Sequence, residues 1–220
     1  MVAGLRRLAL GLALALAAGL VAAGCGQQNP PETAGTGNPS DEEQATERQE
    51  AAERHEEQAQ IATDESRFSV ALLSAAYQGE RDLAELASER AESDRVRAHA
   101  DDLLDDYDRL LPEVEDAADE LDIDLDEQEG LVAQVHSELQ RVYDQQLGML
   151  EELEGEEFDQ AYLESLVATH EATLAELQRV QPRIDEEAAQ GLVEDQIPAV
   201  ERHLERARDV ADREDIDLAR

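Results

Sequence analysis

Lysine is absent from this chain: all 18 of its basic residues are arginine. That excludes the phosphate-gripping lysine of a P-loop and any Schiff-base chemistry. Tryptophan is absent too, and aromatic residues make up 3% of the 220, so a core has to be built from leucine, valine and alanine. A single cysteine, Cys25, allows no disulfide within the chain. Positive charge is scarce as well: 55 acidic residues leave a formal net charge of −37. Such a surface repels the phosphates of DNA and RNA, which excludes a nucleic-acid partner. It also opposes compaction by self-repulsion, which salt screens within about 8 Å at about 0.15 M and about 3 Å at about 1 M. The composition is therefore halophile-like and points to a high-salt habitat.

What is present begins with an apolar leader, MVAGLRRLALGLALALAAGLVAAGC. Arg6 and Arg7 open it, Leu8 to Val21 is apolar, and the small residues Ala22, Ala23 and Gly24 precede Cys25. The order is that of a secretory signal. A short membrane span is the competing reading, but Leu8–Gly24 is marginal in length and no stop-transfer charges follow. The stretch resembles a bacterial lipoprotein signal, with Ala22 where leucine is commonest. That resemblance implies removal of residues 1–24, lipidation of Cys25 and attachment to a membrane through the lipid. It leaves no free thiol for catalysis. With Gly26 after the cysteine, it further implies outer-membrane sorting in a Gram-negative cell.

Residues 25–65 read as the lipidated cysteine followed by an acidic, disordered tether. Proline, glycine and threonine open it, then glutamate, glutamine and alanine dominate, with almost nothing to bury. As a flexible coil of about 40 residues it would span roughly 35 Å. The second half has some helical character, and His55 in it is a solvent-exposed bystander.

From Arg67 the apolar period changes to three and four. Helix one is expected near Arg67–Ala91, with Leu72, Leu73, Ala76, Leu83 and Ala87 inward. Ser93 and Asp94 offer an N-cap for helix two, in which Pro112 is the expected kink. Residues 121–130 read as a turn. Asp122, Asp124 and Asp126 imitate the start of a calcium loop, but Glu127 stands at position six and Ala133 at position twelve, so it is rejected. Helix three is expected at Glu127–Leu153, helix four at Glu156–Arg183 and helix five at Ile197–Arg213. The fold class is all-α, an antiparallel bundle of four to five helices over residues 66–214, with a short tail at 215–220.

Four polar residues fall on the apolar stripes. His170 is seven after Leu163, three after Val167 and four before Leu174; His203 is three after Val200 and four before Ala207. Glu80 is seven from both Leu73 and Ala87, and Tyr107 lies between Leu104 and Leu111. Bundles build metal sites from such inward side chains. The plainer reading is an ordered core, with each histidine bonded to a carbonyl or carboxylate. A di-iron carboxylate site needs Glu-x-x-His on two helices. The residues three before the histidines are Ala52, Val96, Ala133, Val167 and Val200, so that site is absent. His99 and Asp106 share a stripe on helix two as a weaker pair, and His136 is weaker still.

With Glu80, FDQAYLESLVATHE (158–171) and IPAVERHLERA (197–207) in view, the chain resembles the DUF4142 family of bacterial envelope proteins, from about Phe68 to Val210. The residues that carry the likeness are Phe158, Asp159, Tyr162, His170, Glu171, Ile197, Pro198 and His203. The resemblance implies a signal peptide and a ferritin-like helical fold, and it supplies little biochemistry. Two departures stand out. Asp106-Tyr107 replaces the family's usual Asp-His, and the helix before Phe158 is longer by roughly four turns. If the family's Glu and three His form a ligand set, Tyr107 or His99 has to substitute for one of them here.

Two functions remain in play. The first is a lipid-anchored, non-enzymatic bundle of the cell envelope with a structural, stress or partner-binding role. The second is a ferritin-like metal-binding or redox protein, holding a transition metal ion with Glu80, Asp106 or Tyr107, His170 and His203. Membrane remodelling by amphipathic helices is disfavoured, because the polar faces are acidic.

Overall fold

The computed structural model describes residues 41–127 and 129–218. The leader, Cys25 and the first part of the tether lie outside them. Among the described residues the chain forms five α-helices, α1 (Asp41–Arg90), α2 (Asp94–Glu120), α3 (Gly130–Leu150), α4 (Gly155–Val180) and α5 (Glu187–Arg213), with a 3-10 turn at Gln181–Arg183 and no strand. They pack as the expected all-α bundle.

α1 is the axis. It packs against all four other helices, α4 and α5 pair with each other, and α2 also packs on α5. Residues 65–77 of α1 are buried almost all the way round, as a helix enclosed on every side must be. The serines in this stretch return their hydroxyls to the helix: Ser66 donates to the Ala62 carbonyl at 2.9 Å and Ser69 to that of Ser66 at 2.8 Å. Both hydroxyls are thereby satisfied within the helix.

α1 also begins well before Arg67. Residues 41–65, expected as tether, are helical, and residues 48–61 are exposed. The first buried position of α1 is Ala62. Glu65 is fully buried because Arg179 and Arg183 meet the same carboxylate oxygen at 3.1 and 3.0 Å. A residue that reads as solvated charge is taken inside by arginines from more than a hundred positions away.

The turns follow local chemistry. The Ser93 hydroxyl caps α2, accepting from the Arg95 amide at 3.1 Å and more loosely from Val96 at 3.4 Å. α2 then runs on as helix through Pro112. The 121–129 link turns at Asp122, in the left-handed region with φ 52°, and Asp124 accepts from the Asp126 amide at 2.9 Å. α3 starts at Gly130 and α4 at Gly155, with φ of 93° and 62°, conformations that glycine adopts without a Cβ clash. α5 begins at Glu187, ten residues before the expected Ile197. Ala189, Leu192, Val193 and Gln196 continue its buried face back through the extra turns.

Candidate functional site

The polar side chains nominated by spacing meet at one level of the bundle, around Glu80. Glu80 is 1% exposed. Its Oε2 accepts a hydrogen bond from the Tyr107 hydroxyl on α2 at 2.9 Å. That hydroxyl also lies 3.5 Å from His170 Nε2 on α4. His170 Nδ1 donates to the Leu166 carbonyl one turn back at 2.8 Å, and Glu80 Oε1 lies 3.4 Å from the same nitrogen. His170 Nε2 thus faces the Tyr107 hydroxyl while Nδ1 is held by the Leu166 carbonyl.

His203 on α5 closes the far side. Its ring stands edge-on to His170 at 5.5 Å and to Tyr107 at 5.6 Å between centroids. Nε2 lies 3.0 Å from Asp106 Oδ2. Asp106 is therefore not a partner of the central carboxylate. It sits at the rim, with Arg109 at 3.2 Å and Arg206 at 3.5 Å. Burial alone would raise its pKa, but the bonds from His203 and Arg109 more than offset that and hold it below the ordinary carboxylate value. Burial, reinforced by His170, drives the His203 pKa down to about 3 in spite of Asp106. The imidazole is neutral, Nε2–H points to Asp106, and the Nδ1 lone pair is left buried without a hydrogen-bond partner. A carboxylate that fixes one histidine nitrogen and frees the other is the arrangement seen behind metal-ligating histidines.

Two tyrosines that spacing did not nominate complete the cluster. Tyr143 on α3 and Tyr162 on α4 are buried; the Tyr143 hydroxyl lies within reach of Glu80 and Thr169, and the Tyr162 hydroxyl has no hydrogen-bond partner among the described residues. Burial, and then the Glu80 charge, raises the pKa of Tyr107, Tyr143 and Tyr162. The Tyr143 ring lies against the α1 backbone at Gly79, where a Cβ would stand 2.1 Å from the ring. Only glycine admits it beside Glu80. The sequence signal was there: Leu139, Val142, Tyr143, Gln146 and Leu150 form one helical stripe, all buried.

His99 is also buried, with Nε2 unpartnered, and burial lowers its pKa to about 4. His136 is only half-buried, and His55 is exposed on α1. A further chain runs alongside the centre. Tyr77 packs on Tyr107 at 5.4 Å and donates to Gln196 Oε1 at 2.8 Å, and Gln196 Nε2 donates to Glu113 at 2.9 Å.

The Phe158-Asp159 pair has a structural task. Asp159 accepts from the amides of Glu92 and Ser93 at 3.0 and 2.7 Å, tying α4 to the α1–α2 turn. Phe158 stacks near Tyr162 at 6.4 Å and lies under the Arg90 guanidinium at 5.6 Å. Arg90 in turn donates to the Glu151 and Leu153 carbonyls at 2.9 and 2.8 Å.

The family model for a domain of unknown function, DUF4142, matches residues 43–210. The chain belongs to the DUF4142 family. Neither the curated proteins nor the solved structures yield a match. The family match reaches back to residue 43, into the exposed part of α1, and takes in all five helices and every residue of the cluster. Within this DUF4142 bundle, Glu80, Tyr107, His170 and His203 supply oxygen and nitrogen donors at one point, oriented from behind by Asp106 and Leu166. Such a cluster can share protons or hold a cation. No three histidine, aspartate or glutamate side chains among the described residues are grouped to hold a metal by themselves, so a metal would have to draw on the tyrosines.

Proposed function

We propose that this DUF4142 protein is a lipid-anchored, non-enzymatic bundle of the bacterial cell envelope, with a structural, stress-related or partner-binding role. The reading is supported by one juxtaposition. A lipoprotein-like Cys25 precedes a helix whose residues 48–61 are exposed and polar, ahead of the first buried position, Ala62. Those 14 residues amount to a rigid spacer of about 20 Å, long enough to hold the bundle clear of lipid headgroups that its charge repels. The polar centre is consistent with a non-enzymatic role, since Glu80, Tyr107, His170 and His203 are each at most 1% exposed. Reaction with a substrate would require the bundle to open. Expression in a bacterium fed labelled palmitate tests the anchor. Label should enter the wild-type chain and follow it to the membrane fraction, whereas Cys25→Ser should be unlabelled. Equal membrane association of the two would refute a lipid anchor.

A second reading, metal binding, is favoured by the convergence of Glu80, Tyr107, His170 and His203 from four helices of the bundle. Elemental analysis of the full chain after a mild, chelator-free preparation at high ionic strength tests it. About one tightly held transition ion per chain, lost on His170→Ala and on His203→Ala, is the expected result. No retained ion would leave the cluster a purely structural one.

A further inference from the structure

All four tyrosines of the chain gather around Glu80. Tyr77, Tyr107, Tyr143 and Tyr162 come from α1, α2, α3 and α4, and each is at most 2% exposed. The chain has no tryptophan, so these phenols are its only aromatic side chains that give up an electron readily. The tight packing that shuts out a substrate does not shut out this chemistry. An electron tunnels through packed protein, and a proton moves along a hydrogen bond that is already made.

The hydrogen bonds single out Tyr107. A phenol that loses an electron becomes a strong acid and hands its proton to a base within hydrogen-bond reach. The Tyr107 hydroxyl donates to Glu80 Oε2 at 2.9 Å, with His170 Nε2 at 3.5 Å behind it. Tyr77 donates to the amide oxygen of Gln196 at 2.8 Å, which is a poor base. The Tyr162 hydroxyl has no partner among the described residues. Tyr143, within reach of Glu80 and Thr169, is the competing donor. Burial favours the transfer to Glu80 as well. The ion pairs of the described residues bring Glu80 no arginine, and a buried charge without a counter-charge is costly. A proton from Tyr107 removes that charge.

We propose that Tyr107 is a redox-active tyrosine, oxidised through the closed bundle by an outer-sphere one-electron oxidant while its proton passes to Glu80. The oxidant gains one electron from the Tyr107 ring. The O–H bond of Tyr107 breaks, an O–H bond forms at Glu80 Oε2, and a neutral phenoxyl radical remains inside. The pair thereby changes from one negative charge to none. An outer-sphere one-electron reductant reverses the step, and the proton returns to Tyr107. Enclosure keeps the radical from coupling with that of a second chain. This activity goes beyond the anchored-bundle reading and needs no metal.

The experiment is flash photo-oxidation of the purified, metal-free full chain by tris(bipyridine)ruthenium(II) with persulfate. The ruthenium complex is a cation that the acidic surface attracts. Transient absorption follows the rate, and electron paramagnetic resonance of frozen samples identifies the product. A neutral tyrosyl radical is expected, formed with a solvent-deuterium isotope effect and without dityrosine links between chains. Tyr107→Phe should remove it while far-ultraviolet circular dichroism stays unchanged. Glu80→Gln should slow its formation roughly 100-fold or more, the size of a positioned base's contribution. If Tyr107→Phe does not fold, Tyr77→Phe, Tyr143→Phe and Tyr162→Phe identify the radical by exclusion, and it should survive in all three. No tyrosyl radical, a radical that persists in Tyr107→Phe, or one lost in any of those three variants overturns the proposal. Formation at the wild-type rate in Glu80→Gln overturns the proton transfer to Glu80.

Discussion

Neutral buried histidines make stability depend on pH in a defined direction. Burial lowers His203 to about 3 and His99 to about 4, whereas in the unfolded chain each titrates near about 6.5. Between those values the unfolded chain binds the extra protons, so their stabilisation is complete above about pH 6.5 and is lost as pH falls. Each site contributes a slope of up to about 1.4 kcal/mol per pH unit in that window. Asp106, held below its ordinary value, adds to the loss at lower pH. Urea unfolding of the metal-free chain should therefore show stability falling from pH 7 to pH 5, before most surface carboxylates protonate. The double variant His99→Asn, His203→Gln should flatten that slope, and an unchanged slope would rule out these two residues as its cause. The periodicity of the sequence showed Glu80, Tyr107, His170 and His203 turning inward, because helical spacing decides which face a residue is on. It could not show that Asp106 serves the rim, because that depends on the rotation of α5 against α2. Nor did it single out Tyr143, whose position depends on the missing Cβ of Gly79 on another helix.

Among the elements, the α1–α2 turn is held by α4 more than by itself. Asp159 takes two main-chain amides there, and Arg90 takes two carbonyls of the α3–α4 link. Hydrogen bonds to a charged group contribute about 1.5–3 kcal/mol each. Asp159→Asn, which turns an amide group towards one of the two donors, should cost about 2–3 kcal/mol in urea unfolding; a loss below about 0.5 kcal/mol would show that the turn holds without it. The limits of α2, and the breaks near Gly130 and Gly155, were legible because caps and glycines are local signals. The starts of α1 and α5 were not. Glu65 reads as solvent-facing until Arg179 and Arg183 are brought to it, and Gly191 and Pro198 make the first turns of α5 look like a link although the helix runs through both.

For the molecule as a whole, charge is the dominant variable. A formal −37 on 220 residues places many carboxylates within a Debye length of one another at low salt. Bridges such as Arg81–Glu85 and Arg213–Asp209 are too exposed to offset that repulsion. Thermal unfolding should move to higher temperature as sodium chloride rises from about 0.05 M to about 1 M, where screening shortens to about 3 Å. A melting temperature independent of salt would show that the acidic surface does not oppose folding.

The position of α1 at the axis sets an order of assembly. A ribosome finishes this helix first, yet its buried faces are completed only by helices made later, ending with α5. Until α5 emerges, residues 65–77 have no full enclosure and Glu80 lacks the His203 side of the cluster around it. A chain cut short after α3 would still lack His170 and His203, and would expose its apolar axis to whatever holds unfinished polypeptides. Completion of the bundle is thus a late event in synthesis, and the axis is enclosed only when the C-terminal helix is in place.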